Sequence, residues 1–576
     1  MKRFARWMAR LLIPLGLAAA LGVDAAVDRT QAAVAAAAPP MPAREIVPPP
    51  DALTSTWFCP LVGLRPIAES LGDITTMVLL TNMTDEPSQA SVEFRGRTLG
   101  NVVANIEIAP RRTMAVRTAD YVSDEVVGAL VESSAGGLAV TRRFVSSLGV
   151  DETRCSSLLA ADWHMPTGDT QVDALTAVAV MNPLPRDAIV DITFVSEAES
   201  GPVVAPELTG VVVPKSSTAV IDLGEHARRR DIVATSVRAR TGRIAVDAVA
   251  AYDGSFGRRG FAVELASAAV GGRWLVPAAG FDDHTTLSVR VFNPSDDIAA
   301  VTVSVDAAGS SDGSLLYAFG PQKSLAVGPR AVEELAVEAP SEQPPDNVLV
   351  ADPGVPLGLS IVSQNGVPLV VWAEALVGDS TSPRTGIRIE EDAASAAGEE
   401  AAPEAAAQAG TEEQTADREA AQNEAAQDEA AAGDGVDPPD GRSAAHVRSP
   451  VLASQSGLSV VPGIAQTSDR WLVVVARQPR SEVFLTVMAD PLASAAGGTQ
   501  SENRGASSAA ADRRVVVQDL SGRALAVIEV PQSGVVTHSL ASGTARLLVS
   551  DAPFAALVWQ ARIDGAGLSV ALPTPW

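Results

Sequence analysis

Apolar residues in this chain recur at every second position over short stretches, and the stretches return in the same order. In "TTMVLLTN" (75 to 82), "TAVAVMN" (176 to 182) and "LSVRVFN" (287 to 293), apolar side chains stand two and four positions before a closing Asn. They are Val78 and Leu80, Val178 and Val180, and Val289 and Val291; "LVVVARQ" adds Val474 and Ala476 ahead of Gln478. Apolar positions of one parity mark one buried face of a strand. Past each Asn a second strand repeats the habit, at Val92 and Phe94, Ile192 and Phe194, and Val303 and Val305. A proline then opens a further alternating segment (Pro110, Pro214, Pro329, Pro531), and each copy closes on two apolar runs joined by a turn suited to a hairpin. The repeats contain no long segment of 3.6-residue period, so helices are not expected in them.

The copies also share an opening. "TWFCP" (56 to 60), "DWHMP" (162 to 166) and "RWLVP" (273 to 277) are each Trp-x-x-Pro, and Trp57, Trp163 and Trp274 lie 106 and 111 residues apart. "LSVVP" (458 to 462) reads as a fourth, degraded opening in which Leu458 replaces the Trp. About seven short strands in roughly 100 residues predict an all-β fold of tandem immunoglobulin-like antiparallel β-sandwich modules. A β-propeller built from the same repeats is the alternative, since four units of about seven strands would also fill seven four-stranded blades. The modules fall at 53–160, 161–270, 271–388 and 449–576.

Composition adds a linker and a compartment. The formal charge is −26, but sixteen acidic residues and a single basic one, Arg418, lie between Glu390 and Asp440. From Glu390 to Gly435 this Ala/Glu tract has no aromatic residue and no Val, Ile or Leu, so it cannot bury enough surface to offset the entropy of ordering, and 389–448 is expected to be a disordered linker. Outside it there is no basic stripe interleaved with aromatics, which argues against nucleic acid as a partner. Residues 1–26 join a basic start (Lys2, Arg3, Arg6, Arg10) to a short apolar run, and so read as a signal peptide or membrane anchor. Residues 27–52 form an Ala/Pro-rich tether, and membrane contact is expected only through this N-terminal segment. No Cys follows the apolar run, which excludes a lipid anchor. The expected location is extracellular or in the cell envelope. In that setting the two cysteines, Cys59 and Cys155, are expected to pair.

Candidate chemistry is sparse. "FDDH" places Asp282, Asp283 and His284 together, but neighbours on a strand point to opposite faces, and the corresponding loops share a single acid (Asp73, Asp173, Asp469). Ser311 in "GSSDG" matches Gly-x-Ser-x-Gly, although it sits in turn-forming sequence between strands rather than at a strand-to-helix elbow. The five histidines (His164, His226, His284, His446, His538) have no zinc spacing. His226 with Arg228, Arg229 and Arg230 forms the one dense basic cluster, and Asn82 heads a glycosylation sequon where other copies carry Asn-Pro. No catalytic, metal or cofactor residue is therefore assigned. Trp372 and Trp559, on closing strands, are the candidates for a ligand-facing aromatic.

The Trp-x-Cys-Pro opening at Trp57 to Pro60, the export signal and the Asn-Pro strand ends resemble an uncharacterised secreted family of actinobacteria, of unknown function, over about residues 50–385 and 450–576. The resemblance implies an exported or anchored protein with an envelope role, and carries over no catalytic residue. The expected function is that of a non-catalytic envelope scaffold or interaction module whose partner is a wall glycan or an envelope protein. Glycan binding is the second expectation and hydrolysis the third.

Overall fold

The computed structural model describes residues 47–64, 74–96, 101–123, 126–197, 203–278, 285–307, 322–339, 347–353, 357–377, 457–462, 464–465, 468–474, 481–489, 513–530, 535–540, 545–562, 568–571 and 574–575. Residues 1–46, the acidic tract, Asp282 to His284 and Ser311 lie outside them. The alternating segments become strands, and the chain is all-β.

The first module holds β1 (Ser55–Leu64), β2 (Thr75–Asn82), β3 (Ser88–Gly96), β4 (Asn101–Ile108), β5 (Thr113–Arg117), β6 (Val126–Ser133), β7 (Leu138–Ser146) and β8 (Gly149–Arg154). They form two four-stranded antiparallel sheets, β1-β6-β3-β4 and β5-β2-β7-β8. Both sheets contribute to one apolar cluster, with Trp57, Val92 and Phe94 from the first and Val78, Leu80 and Val140 from the second.

The second module repeats the plan. Its strands are β9 (Asp162–Met165), β10 (Ala174–Asn182), β11 (Ala188–Ser196), β12 (Val211–Val213), β13 (Ser217–Asp222), β14 (Val233–Thr241), β15 (Ala245–Asp253) and β16 (Arg259–Leu265). The sheet orders are β9-β14-β11-β12 and β13-β10-β15-β16. The third module has β17 (Arg273–Ala278), β18 (Thr285–Asn293), β19 (Ala299–Ala307), β20 (Gln322–Val327), β21 (Ala331–Glu338), β22 (Val348–Val350), β23 (Leu357–Ser363), β24 (Val370–Val377) and β25 (Gly457–Pro462). The orders are β17-β23-β19-β20 and β21-β18-β24-β25, with β22 added in parallel outside β21. Propeller blades are sheets each built from its own stretch of chain around a channel. Here each sheet draws strands from distant parts of its module, so the propeller alternative is set aside.

The pairing of β25 corrects the boundary read from the sequence. Trp372 to Val377 of β24 pair with Pro462 to Gly457 of β25, so "LSVVP" closes the third module instead of opening the fourth. The acidic tract thus lies, in sequence, between two strands that pair with each other.

The fourth module opens at β26 (Ser468–Val473), followed by β27 (Ser481–Ala489), β28 (Arg513–Gln518), β29 (Ala524–Val530), β30 (Val535–Leu540), β31 (Arg546–Arg562), β32 (Leu568–Ala571) and β33 (Thr574–Pro575). β31 serves as two strands in one: its first half pairs with β26 and β28, its second with β27 and β32. The opening Trp is therefore not lost. Trp57, Trp163, Trp274 and Trp471 each donate their indole N–H to a carbonyl at the start of the closing strand: Leu138 at 3.0 Å, Ile244 at 2.9 Å, Leu369 at 3.0 Å and Phe554 at 3.0 Å. The fourth copy of the Asn-ended strand is β27, and Gln478 precedes it.

The recurrent Asn is a buried staple. The Asn293 amide donates to the Asp297, Val327 and Gly328 carbonyls at 2.6, 3.2 and 2.9 Å, while its oxygen accepts from the Ser295 N–H at 3.0 Å. Asn182 and Asn82 make the same set. The Asn82 amide is thus wholly occupied in its turn, which accounts for the residue without a sugar.

Cys59 in β1 and Cys155 after β8 form a disulfide that joins the two sheets of the first module. A disulfide is typically worth about 2–4 kcal/mol. Chemical denaturation with and without a reductant should differ by that amount; identical curves would show that the first module holds without the bond.

Candidate functional site: charged seams between modules

The two sheets of each of the first three modules are not equivalent. In β4 and β20 buried and open positions alternate, as expected of a sheet with one solvated face. In β10, β18 and β24 nearly every position is buried, so the sheets that carry them are covered on both faces. The second cover is another module. The last strands of the closing hairpins, β8, β16, β25 and β32, meet one another in a closed cycle, β8 with β16, β16 with β25, β25 with β32 and β32 with β8. Each is an edge strand of its own sheet, and the cycle hides those edges from unwanted pairing. The N-terminal segment joins the cycle's last module, where the Val47 N–H donates to the Pro575 carbonyl at 3.0 Å.

The seam between the first two modules has an apolar rim and a charged centre. Leu61, Phe144 and Leu148 of the first module cluster with Leu175, Val249, Phe261 and Val263 of the second, Phe144 meeting Phe261 edge-on at 6.1 Å. Gly128 lies so close to Thr218 that a Cβ there would collide. At the centre, Arg142 in β7 pairs with Asp247 in β15, both side chains fully buried. The guanidinium also donates to the Leu61 and Arg154 carbonyls, each at 2.8 Å, and Asp247 Oδ2 accepts from the Leu61 N–H at 3.0 Å. Beside this pair, Asp151 Oδ2 in β8 accepts from the Val263 N–H in β16 at 2.6 Å. Burial pushes the Asp151 carboxyl up to about 7, with the neighbouring Glu152 adding to it, and burial beside Asp151 holds that of Glu264, next to Val263, well above the carboxylate range.

The second seam joins modules two and three. Arg290 in β18 donates to Glu334 at 2.8 Å and to Thr167 of the second module at 2.8 Å, and lies 3.3 Å from Glu374 in β24. The Tyr252 hydroxyl of the second module donates to Glu374 at 3.3 Å. The Arg258 guanidinium stacks over the Tyr252 ring at 4.3 Å and pairs with Asp169 and Asp173. Nearby, His164 Nδ1 is 2.9 Å from the Ser236 hydroxyl and its ring lies against Phe292. Burial pushes the His164 imidazole down to about 4, against the pull of Asp162, so it stays neutral at physiological pH.

Trp372 requires a correction. It is only 1% exposed, because its outward-facing position on β24 is covered by this packing, and so it presents no ring to a ligand. The backbone of Trp559 lies in β31 opposite Phe484 and Val570; its side chain is outside the described residues. His226 pairs with Glu207 at 3.0 Å, and Arg228 and Arg229 are exposed. Among the described residues no three His, Cys, Asp or Glu side chains are grouped to hold a metal ion, and no helix is long and apolar enough to cross a membrane.

Neither seam was identified from the sequence, although a signal for both was present. Charged residues interrupt otherwise apolar closing strands in "AVTRRFV", "AVDAVA" and "VVWAEA". Such charges are seldom buried unless paired.

The architecture defines a class, an all-β protein of several four-stranded antiparallel sheets followed by one larger sheet of eight strands. The comparisons add a family match: a model described as "Family of unknown function (DUF5719)" matches residues 146–315, from the last strand of the first module through the second module to the first strands of the third. No curated protein matches. Among solved structures, the chain is similar to a Streptomyces avermitilis alpha-L-rhamnosidase complexed with L-rhamnose, at 9% identity and a TM-score of 0.14, over 58% of this chain and 44% of that one. That likeness is too slight to carry an argument about this chain.

Proposed function

We propose that this chain is a non-catalytic, exported cell-envelope protein in which four immunoglobulin-like β modules are locked into one rigid scaffold or interaction body. The observation that carries the reading is the use of buried charge: Arg142 with Asp247 and Arg290 with Thr167 join side chains of different modules, and so hold module to module. The Cys59–Cys155 disulfide supports an oxidising compartment. The exchange of strands between two sheets supports an immunoglobulin-like reading of each module. Burial of Trp372 removes one of the two aromatics on which glycan binding rested.

Fractionation of producing cells with thiol alkylation tests this proposal. The protein should appear in the envelope or the medium with Cys59 and Cys155 protected; recovery from the cytoplasm with both thiols reactive contradicts export. On purified wall polysaccharide the protein should stay in the supernatant. Retention that is lost on Trp559→Ala would replace the scaffold reading with glycan binding, and turnover in a glycosidase, esterase or peptidase panel would replace it with catalysis.

A further inference from the structure

The seam between the first two modules buries more acid than base. Asp151, Glu152, Asp247 and Glu264 are buried there, against the buried Arg142 and Arg143 and the half-buried Arg154. Arg142 is taken by Asp247, and Arg143 interacts with Glu152. On the adjacent strands β8 and β16, Asp151 thus feels the far side of Arg142, and Glu264 feels Arg154 together with Arg142. The other two strands of the central cycle, "GLSVVP" in β25 and "LSVA" in β32, contain no ionisable residue. Asp151 accepts the Val263 N–H across the seam, whereas Glu264 Oε1 accepts no hydrogen bond among the described residues. Two carboxylates cannot both stay ionised at such a dry, under-compensated contact, and the inexpensive solution is a retained proton.

We propose that Asp151 and Glu264 form a proton-operated latch between the first and second modules: while the pair holds protons, β8 and β16 close on each other, and when it loses them the seam loosens. The proton leaves to solvent and no other group changes. The direction follows from linkage. A carboxyl whose affinity for protons is raised by folding contributes stability that is complete below its unfolded value. That stability is lost as pH climbs to the native value, which for Asp151 is about 7. The latch is therefore closed in mildly acidic surroundings and weakest above neutrality.

The test is thermal unfolding of the full-length protein at pH 5 and pH 8, beside the double variant Asp151→Asn/Glu264→Gln, which imitates the protonated pair. Wild type should lose Tm between the two conditions, and the double variant should match wild type at pH 5 and exceed it by about 3 °C at pH 8. An identical pH dependence in both proteins overturns the latch. Infrared spectroscopy of the wild type needs no variant to fold. A protonated-carboxyl band should be present in the native protein at pH 7 and all but missing from the unfolded protein at the same pH; its absence from the native spectrum also overturns the proposal. Millimolar Ca²⁺ should not restore the wild-type Tm at pH 8. If it does so in wild type but not in the double variant, the pair is a cation site and the proton reading falls.

Discussion

Arg142→Met is expected to destabilise the protein by about 3–5 kcal/mol, because it leaves the Asp247 carboxylate buried without its cation. The loss should be concentrated at the junction of the first two modules, since Arg142 donates to Asp247 in one module and to the Leu61 and Arg154 carbonyls in the other. Removing both charges is a different experiment. Arg142→Met/Asp247→Leu exchanges the pair for apolar groups of similar bulk, and buried pairs replaced in this way are often neutral or better. The double variant should recover most of the loss, and a urea melt followed by circular dichroism measures it. A single variant that costs under about 1 kcal/mol, in the range of an exposed pair, would mean that the seam is wet and that the ion pair does not join the modules.

Trp471→Ala should cost about 3–5 kcal/mol, the usual range for emptying an aromatic site in a packed core. The ring is buried, meets Phe554 at 6.4 Å, and its N–H donates to the Phe554 and Ser468 carbonyls, so the substitution also strips a partner from the start of the closing strand. Trp274→Ala removes the same pair of contacts, to Gly271 and Leu369, and should cost a similar amount. The equality is the point of the experiment. If Trp471 is much the cheaper to remove, the fourth module does not use the opening that the other three share.

Particular residues show how far the sequence could be read. Parity at Val78/Leu80, Val178/Val180 and Val289/Val291 identified strands with one buried face, and all six side chains are buried. The opposite parity carried a second message: Ala177, Ala179 and Phe292 are as buried as their neighbours, since near-continuous apolar runs such as "AVAVMN" belong to strands covered twice. The fourth opening was misplaced because "LSVVP" resembles the pattern in its Pro. "RWLV" at 470 to 473 repeats "RWLV" at 273 to 276 letter for letter and was the better guide.

What the sequence determined by itself is local: the strands, by period-two burial; the Asn turns, by an amide that can serve several carbonyls at once; and the Cys59–Cys155 bond, by there being only two cysteines in an exported-looking chain. What the tertiary structure decided is which surfaces meet. A run of apolar residues states that a face will be buried but not against what, and a lone Arg or Asp in a strand does not name a partner more than 100 residues away. Those pairings are set by how the modules close on one another, and they place Arg142 on Asp247, Trp372 out of a ligand's reach, and Asp151 beside Glu264.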